Sequence, residues 1–412
     1  MSDASRSRGL PPAGRFALLA ALFSSVGQTF FIGLFGADFR VAFGLTDAAL
    51  GALYSTATLA SGIAMFWLGA LADHFSLKRA VAAVLVLLAA GALLVAAAPG
   101  AWALLPGLFL IRLAGQGLMG HLGVVAAGRY AVHRRGRALA MVSYGFILGE
   151  ACLPPVIALA LASHDWRTVW LVASAAIALI GLPIMIWLAR PLTGNPAADA
   201  ERAQDDAGAA SVRWRRRGLL TNAAFLRVLL VVLVPPVLIT AIFLHQGSIA
   251  ERLEWTRMDV GRAFVASALA QGLAAFLAGR LIDRFSARAL LRFLLVPSAV
   301  GVLSLGVLEP RVSLWLMFCG LGLTAGFNSV VSAAIWVELF GTRQLGMIRG
   351  VYAALMVLST ALGPVLLGGL LDAGVTLLAI GIGVAVYVVA VPVLAVPRDL
   401  ARRAGKRPGP TC

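Results

Sequence analysis

The chain alternates between long apolar runs and short polar breaks. The runs fall at roughly 16–41, 48–72, 79–98, 101–127, 137–162 and 167–189, then at 224–249, 258–280, 287–307, 311–338, 346–371 and 374–396. Each approaches or exceeds the roughly 20 residues that an α-helix needs to cross a bilayer core about 30 Å thick. Twelve transmembrane helices are therefore expected, six on either side of one longer polar stretch. That pattern predicts an all-α integral membrane protein of two pseudo-symmetric six-helix bundles. Its parts would be an N-terminal tail (1–15), a first bundle (16–190), a linker (191–223), a second bundle (224–397) and a C-terminal tail (398–412). The linker holds Pro191, Gly194, Asn195 and Pro196, then mixed charges and an arginine run, and is too short for a catalytic domain.

One polar break is duplicated. Gly69-Ala-Leu-Ala-Asp73-His-Phe-Ser-Leu-Lys78-Arg79 returns as Gly279-Arg-Leu-Ile-Asp283-Arg284-Phe-Ser-Ala-Arg288. Matching loops after the second run of each half point to an internal repeat, a common construction of secondary transporters.

Composition strengthens this picture: 60% of the 412 residues are hydrophobic, 13% are charged, and mean hydropathy is +0.92. A soluble fold could not bury so much apolar surface. The net charge of +16 would suit a nucleic-acid binder if it were collected on a polar domain, but it is scattered over short loops. Such loops set orientation and meet anionic headgroups. All basic residues except Arg40, Arg112, Arg167, Arg252, Arg257, Arg262 and Arg311 lie on the side shared by the termini and the linker, so that side is predicted to be cytoplasmic. The first run is longer than a signal-peptide core and reads as a retained span. Cys152, Cys319 and Cys412 form no disulfide or metal pattern. Lys78 and Lys406 are the only lysines among 34 basic residues, which fits a GC-rich bacterial genome and hence an inner membrane. No catalytic triad, paired catalytic carboxylates or phosphate-binding Gly-Lys loop is present, which argues against an enzyme or an ATP-driven pump.

With its 6 + 6 spans and duplicated loop, the chain resembles the major facilitator superfamily of secondary transporters. Gly69, Leu71, Asp73, Lys78 and Arg79 match that family's loop signature, with His74 and Ser76 as departures; Asp283 and Arg284 match in the second copy. Arg112-Leu-Ala-Gly-Gln-Gly in span 4 and Gly363-Pro-Val-Leu-Leu-Gly-Gly369 in span 11 are similar to two further family motifs. Residues 30–36 and 135–138 give the chain the flavour of bacterial carriers of monocarboxylate-like anions. The resemblance implies a conformational latch formed by Gly69, Asp73, Lys78, Arg79, Gly279, Asp283, Arg284 and Arg288. In it Asp73 would meet the positive start of span 11, near Gly346 to Gly350, and Asp283 that of span 5, near Arg135 to Arg137. The bland alternative is that these loops only set topology.

Arg112 lies about ten residues into span 4, near the bilayer midplane. A charge there needs a polar cavity or a partner. In a central cavity it would bind a carboxylate or phosphate of the substrate; otherwise it is a structural arginine bonded to helix carbonyls. Gln116 is one turn on. Glu150, mid-span 5, could carry a coupling proton or neutralise Arg112, or simply bond a neighbouring helix. Gln28 and Thr29 in span 1, Asn328 and Ser329 in span 10, Gln271 in span 8 and Tyr352 in span 11 are milder cavity candidates. His245, near the outer end of span 7, is a candidate gate or proton group. Gly145 and Gly149 suggest close helix packing. The expectation is a monomeric, proton-coupled carrier of a small organic anion working by alternating access, with lipids as further partners and no cofactor, metal or nucleic acid. The alternatives are proton-antiport efflux of drugs or amphiphilic metabolites, and a transporter-like sensor that binds without flux.

Overall fold

The computed structural model describes residues 10–69, 71–131, 135–194, 216–341 and 345–395. Every regular element among them is helical. Eleven helices are long and apolar enough to cross a membrane: α1 (Pro12–Gly33), α2 (Asp47–Leu68), α3 (Leu77–Ala97), α4 (Ala101–Tyr130), α5 (Gly136–Leu161), α6 (Trp166–Ala189), α7 (Ala223–Leu244), α8 (Arg257–Phe285), α9 (Ala287–Val307), α10 (Pro310–Phe340) and α11 (Met347–Asp372). The twelfth, α12, spans Leu377–Ala395. Their ends carry chain-encoded signals. Pro12 and Pro310 begin helices, Asp165 caps the start of α6 and Asn222 that of α7, and Thr256 with Asp259 forms a capping box at α8.

The first span differs from the predicted run of 16–41. Its helix tightens over Ser25–Gly27, breaks at Gln28, which is extended, and resumes over Thr29–Gly33. A separate helix, Gly36–Phe43, follows and ends at Gly44 with φ of 62°. Hydropathy cannot register this break because the residues on both sides are apolar. The centre of the predicted linker lies outside the described residues; Arg216–Leu220 near its end is a short helix.

The chain forms two compact units. One holds Met1–Leu45 and Ala52–Ala209; the other holds Thr46–Gly51 and Ala210–Cys412. The first turn of α2 thus belongs with the C-terminal half. Both units repeat one packing scheme. In the first, α1 lies on α5, and α3 lies on α4 and α6; in the second, α7 lies on α11, and α9 lies on α10 and α12. Small residues allow the close approaches, since a Cβ at Gly145 or Gly149 would run into the Leu18 carbonyl or the Ser25 side chain of α1.

Each unit has an aromatic core. Phe31 and Phe35 pack on the fully buried Trp170, and Phe39 on Trp166. In the second unit Phe243, Phe264 and Phe318 form one cluster, and Phe225, Trp336 and Tyr352 another. The distinctive aromatic phrase at residues 30–36 therefore serves packing. Many large apolar side chains, among them Phe66, Trp102, Leu179 and Val389, are exposed. That suits a protein whose surroundings are themselves apolar.

Candidate functional site

The break in α1 sets up the first unit's polar centre. With Gln28 extended, the Gly27 carbonyl leaves the helical ladder, and such a carbonyl needs another donor. Arg112 supplies it: Nη1 donates to Gly27 O at 2.9 Å and Nε donates to Thr58 Oγ1 at 3.1 Å. The guanidinium carbon sits 4.8 Å from the centre of the Tyr54 ring, a cation–π arrangement. Tyr54 in turn shares a hydrogen bond with Thr29. Arg112 is only 1% exposed and begins a π-helical stretch, Arg112–Met119, in α4. Such wide turns recur at functional sites. Gly27 and Gly115 bring the two backbones together here, because a Cβ on Gly27 would lie 2.7 Å from Gly115 Cα and 2.5 Å from Gln116 N.

The partners of Arg112 are all neutral, and Nη2 is buried without a hydrogen-bond partner among the described residues. Glu150, half-buried on α5, is not among them. The structure thus brings together Arg112, Thr29 and the backbone at Gln116. Gln28 turns instead to Ser24, with Nε2 3.3 Å from Oγ. Tyr54 and Thr58, which complete the setting, escaped sequence reasoning because a tyrosine or threonine in an apolar run carries no distinct signal.

In the second unit Tyr352 of α11 lies within hydrogen-bonding reach of Asn328 and Ser332 of α10. Gln271 Oε1 and Asn328 Oδ1 are buried without partners among the described residues. Ser329 spends its hydroxyl on Gly326 O at 2.7 Å, a local helix bond.

His245 stands apart from that group, in the turn after α7, and is 1% exposed. Its Nε2 is 2.8 Å from Pro364 O and its Nδ1 is 3.4 Å from Asp47 Oδ1. Ser248, on the short helix Gln246–Arg252, donates to the same carboxylate oxygen. Asp372 caps the start of α2, accepting from the amides of Asp47 at 3.0 Å and Ala48 at 2.8 Å. Asp47 directly precedes an apolar run and reads as an ordinary first-turn acid, so sequence alone did not single it out.

Of the predicted latch residues, the side chain of Asp73 lies outside the described residues. Gly69 sits in the turn after α2, and Lys78 and Arg79 are exposed at the start of α3. Gly279, Asp283 and Arg284 lie in the last turns of α8, with Asp283 and Arg284 exposed. Arg288 joins a contact that sequence missed. Glu338 of α10 accepts from the Ala287 amide at 2.6 Å, and its backbone carbonyl accepts from Arg288 Nη2 at 3.1 Å. A carboxylate at this helix start meets free N–H groups and the positive dipole end.

A groove of about 1180 Å³ runs along α7, α9, α11 and α12, with walls that are aliphatic apart from Arg227, Ser359 and Tyr387. No group of acidic, histidine and cysteine side chains suited to a metal occurs among the described residues.

Two helical units repeating one packing scheme, apolar outside and holding buried polar groups inside, define a multi-pass membrane transporter rather than an enzyme. The chain belongs to the Major Facilitator Superfamily, whose family model matches residues 17–245 and again 236–411, and it is a transporter of small solutes. Solved structures share the fold. The nucleoside transporter NupG is similar with a TM-score of 0.68 at 14% identity, over 93% of this chain and 98% of that one. A D-xylose-proton symporter gives 0.69 at 16% identity, over 93% and 96%. A bacterial homolog to the human lysosomal transporter Spinster gives 0.65 at 14% identity, over 96% and 98%. No curated protein sequence matches the chain.

Proposed function

We propose that this protein is a proton-coupled carrier of a small organic anion, working by alternating access in a bacterial inner membrane. Both termini and the central linker would face the cytoplasm, as the distribution of Lys and Arg favours. It would act as a monomer among lipids.

One observation carries the anion reading. Arg112 is a buried cation whose described partners are all neutral, with one nitrogen still able to donate. A buried charge without a counter-ion is costly. A substrate carboxylate would offset that cost and accept the remaining N–H, and Gly27 O and Thr58 hold the planar fork ready for it. Coupling to protons is the part that Glu150 and His245 support as titratable groups within or beside the spans. The broad apolar groove in the second unit favours one rival, the carriage of amphiphiles.

The test is uptake into proteoliposomes under an imposed pH gradient, using a panel of organic acids and a panel of amphiphilic drugs. Arg112→Ala should weaken binding of an accepted acid by about 10- to 100-fold, the equivalent of the roughly 1.5–3 kcal/mol assigned to a hydrogen bond with a charged group. Arg112→Lys should restore only part of it, because an ammonium lacks the fork. Unchanged acid transport by Arg112→Ala removes the anion site. Ligand binding without flux would identify a sensor.

A further inference from the structure

The residues around His245 fix where its hydrogens must be. A backbone carbonyl can only accept, so the 2.8 Å approach of Nε2 to Pro364 O requires the hydrogen on Nε2. In a neutral imidazole Nδ1 then carries a lone pair. That lone pair faces Asp47 Oδ1 at 3.4 Å, and an ionised carboxylate is also acceptor-only. Two acceptors turned toward each other repel unless a proton lies between them. The second oxygen pair makes this sharper, because Asp372 places another carboxylate on the Asp47 and Ala48 amides.

Asp47 is 6% exposed and Ser248 is 5% exposed. Asp47 is the buried acid, whereas Asp372, bonded to the Asp47 and Ala48 amides, is exposed, as is Arg252. Arg252, on the short helix after α7, supplies one positive charge nearby by donating to Leu371 O at 2.8 Å. Glu251 on that helix is exposed. Of the charged groups at the start of α8, Asp259 is engaged by the Thr256 cap, and Arg257 and Arg262 lie on the same helix.

We propose that Asp47 and His245 form a proton-binding site that holds one proton between Oδ1 and Nδ1 and thereby fixes the first turn of α2 against α11. This rests on the proton-coupled reading above and assigns that proton a place. Close backbone packing makes the contact sensitive: a Cβ on Gly51 would lie 2.6 Å from Pro364 O, and one on Gly368 would lie 2.5 Å from Asp47 O. With the proton bound, the pair attracts and the turn is held. With it released to water, two acceptors face each other and the turn is freed. The held turn ends at Gly51, and α2 continues from Ala52 into the first unit.

A proton that only the folded pair can hold makes stability from the site full at low pH and lost as pH rises. In the limit of one proton, the folding equilibrium of the full-length protein changes about tenfold per pH unit. The experiment is thermal unfolding of the purified full chain from mildly acidic to alkaline pH, for wild type, Asp47→Asn and His245→Gln. With its amide nitrogen in the place of Oδ1, an asparagine can donate one hydrogen to the neutral Nδ1 and the other to the Ser248 hydroxyl, which turns to accept, so Asp47→Asn should fold and lose the pH slope. A wild type without the slope, or an Asp47→Asn variant that keeps it, overturns the site. Where a variant does not fold, ¹⁵N spectra of wild-type histidines decide. A histidine with both ring nitrogens protonated at neutral pH supports the site, and none so protonated overturns it.

Transport separates the coupling role. In proteoliposomes Asp47→Asn should exchange an accepted anion but lose its pH-driven accumulation. Accumulation equal to wild type overturns the coupling. Absence of any anion-induced stabilisation, with the pH slope intact, would discard the anion reading and leave the proton site standing.

Discussion

Replacing Gly27 with alanine tests the link between the break in α1 and the arginine it holds. The new Cβ would lie 2.5 Å from Gln116 N and 2.5 Å from Ile111 O, and 2.7 Å from Gly115 Cα. All three are backbone atoms, so no side chain can swing away. Relief requires α1 and α4 to separate by about an ångström, which by itself is overpacking worth about 1–3 kcal/mol. The same movement stretches the 2.9 Å bond from Arg112 Nη1 to Gly27 O. Weakening that charge-assisted bond adds up to about 1.5–3 kcal/mol. The sum, about 2.5–6 kcal/mol, is a large part of the roughly 5–15 kcal/mol that holds an ordinary domain folded.

The assay is thermal unfolding in detergent beside anion titration, for Gly27→Ala, Gly115→Ala and the double variant. Each single change should lower the midpoint sharply. The pair should cost less than the sum, because the first separation makes room for the second methyl. Gly383→Ala, where a Cβ meets nothing within 4 Å, serves as the control and should be near neutral. A Gly27→Ala protein with the stability and anion affinity of wild type would show that the close approach does not position Arg112.

Removing the Thr58 hydroxyl with Thr58→Val takes one bond from Arg112 Nε, and should cost about 1.5–3 kcal/mol and weaken anion binding in the same titration. Glu338→Gln should lower stability by about 0.5–2 kcal/mol, since an amide caps the start of α9 less well than a carboxylate, and high salt should shrink the difference between the two.

Much of the architecture was legible in the chain. The apolar runs coincide with helices except in the first, which breaks at Gln28 and is followed by a separate helix, Gly36–Phe43; the repeated loop after spans 2 and 8 accompanies two units with one packing scheme. Several motif residues play parts that their motifs do not announce: Pro364 offers its carbonyl to His245, and the aromatic phrase at 30–36 packs on Trp170. Arg112 was legible as a charge within an apolar span, and it is buried there. Its partners were not, because Gly27, Tyr54 and Thr58 lie far from it in sequence and look like filler in apolar runs. Gln28 was picked out for its polarity, whereas its extended backbone, which frees the Gly27 carbonyl, left no trace in hydropathy.

Spans, their number and the duplicated loop followed from sequence because membrane insertion depends on the summed transfer of consecutive residues into hydrocarbon, which is a local property. The pairing of Asp47 with His245 and Asp372, and of Arg112 with a broken helix, was decided by tertiary structure alone. Those contacts join residues brought together only when helices pack to backbone contact, and the position of a proton or a spare N–H is then set by ångström-scale geometry that no periodicity in the chain encodes.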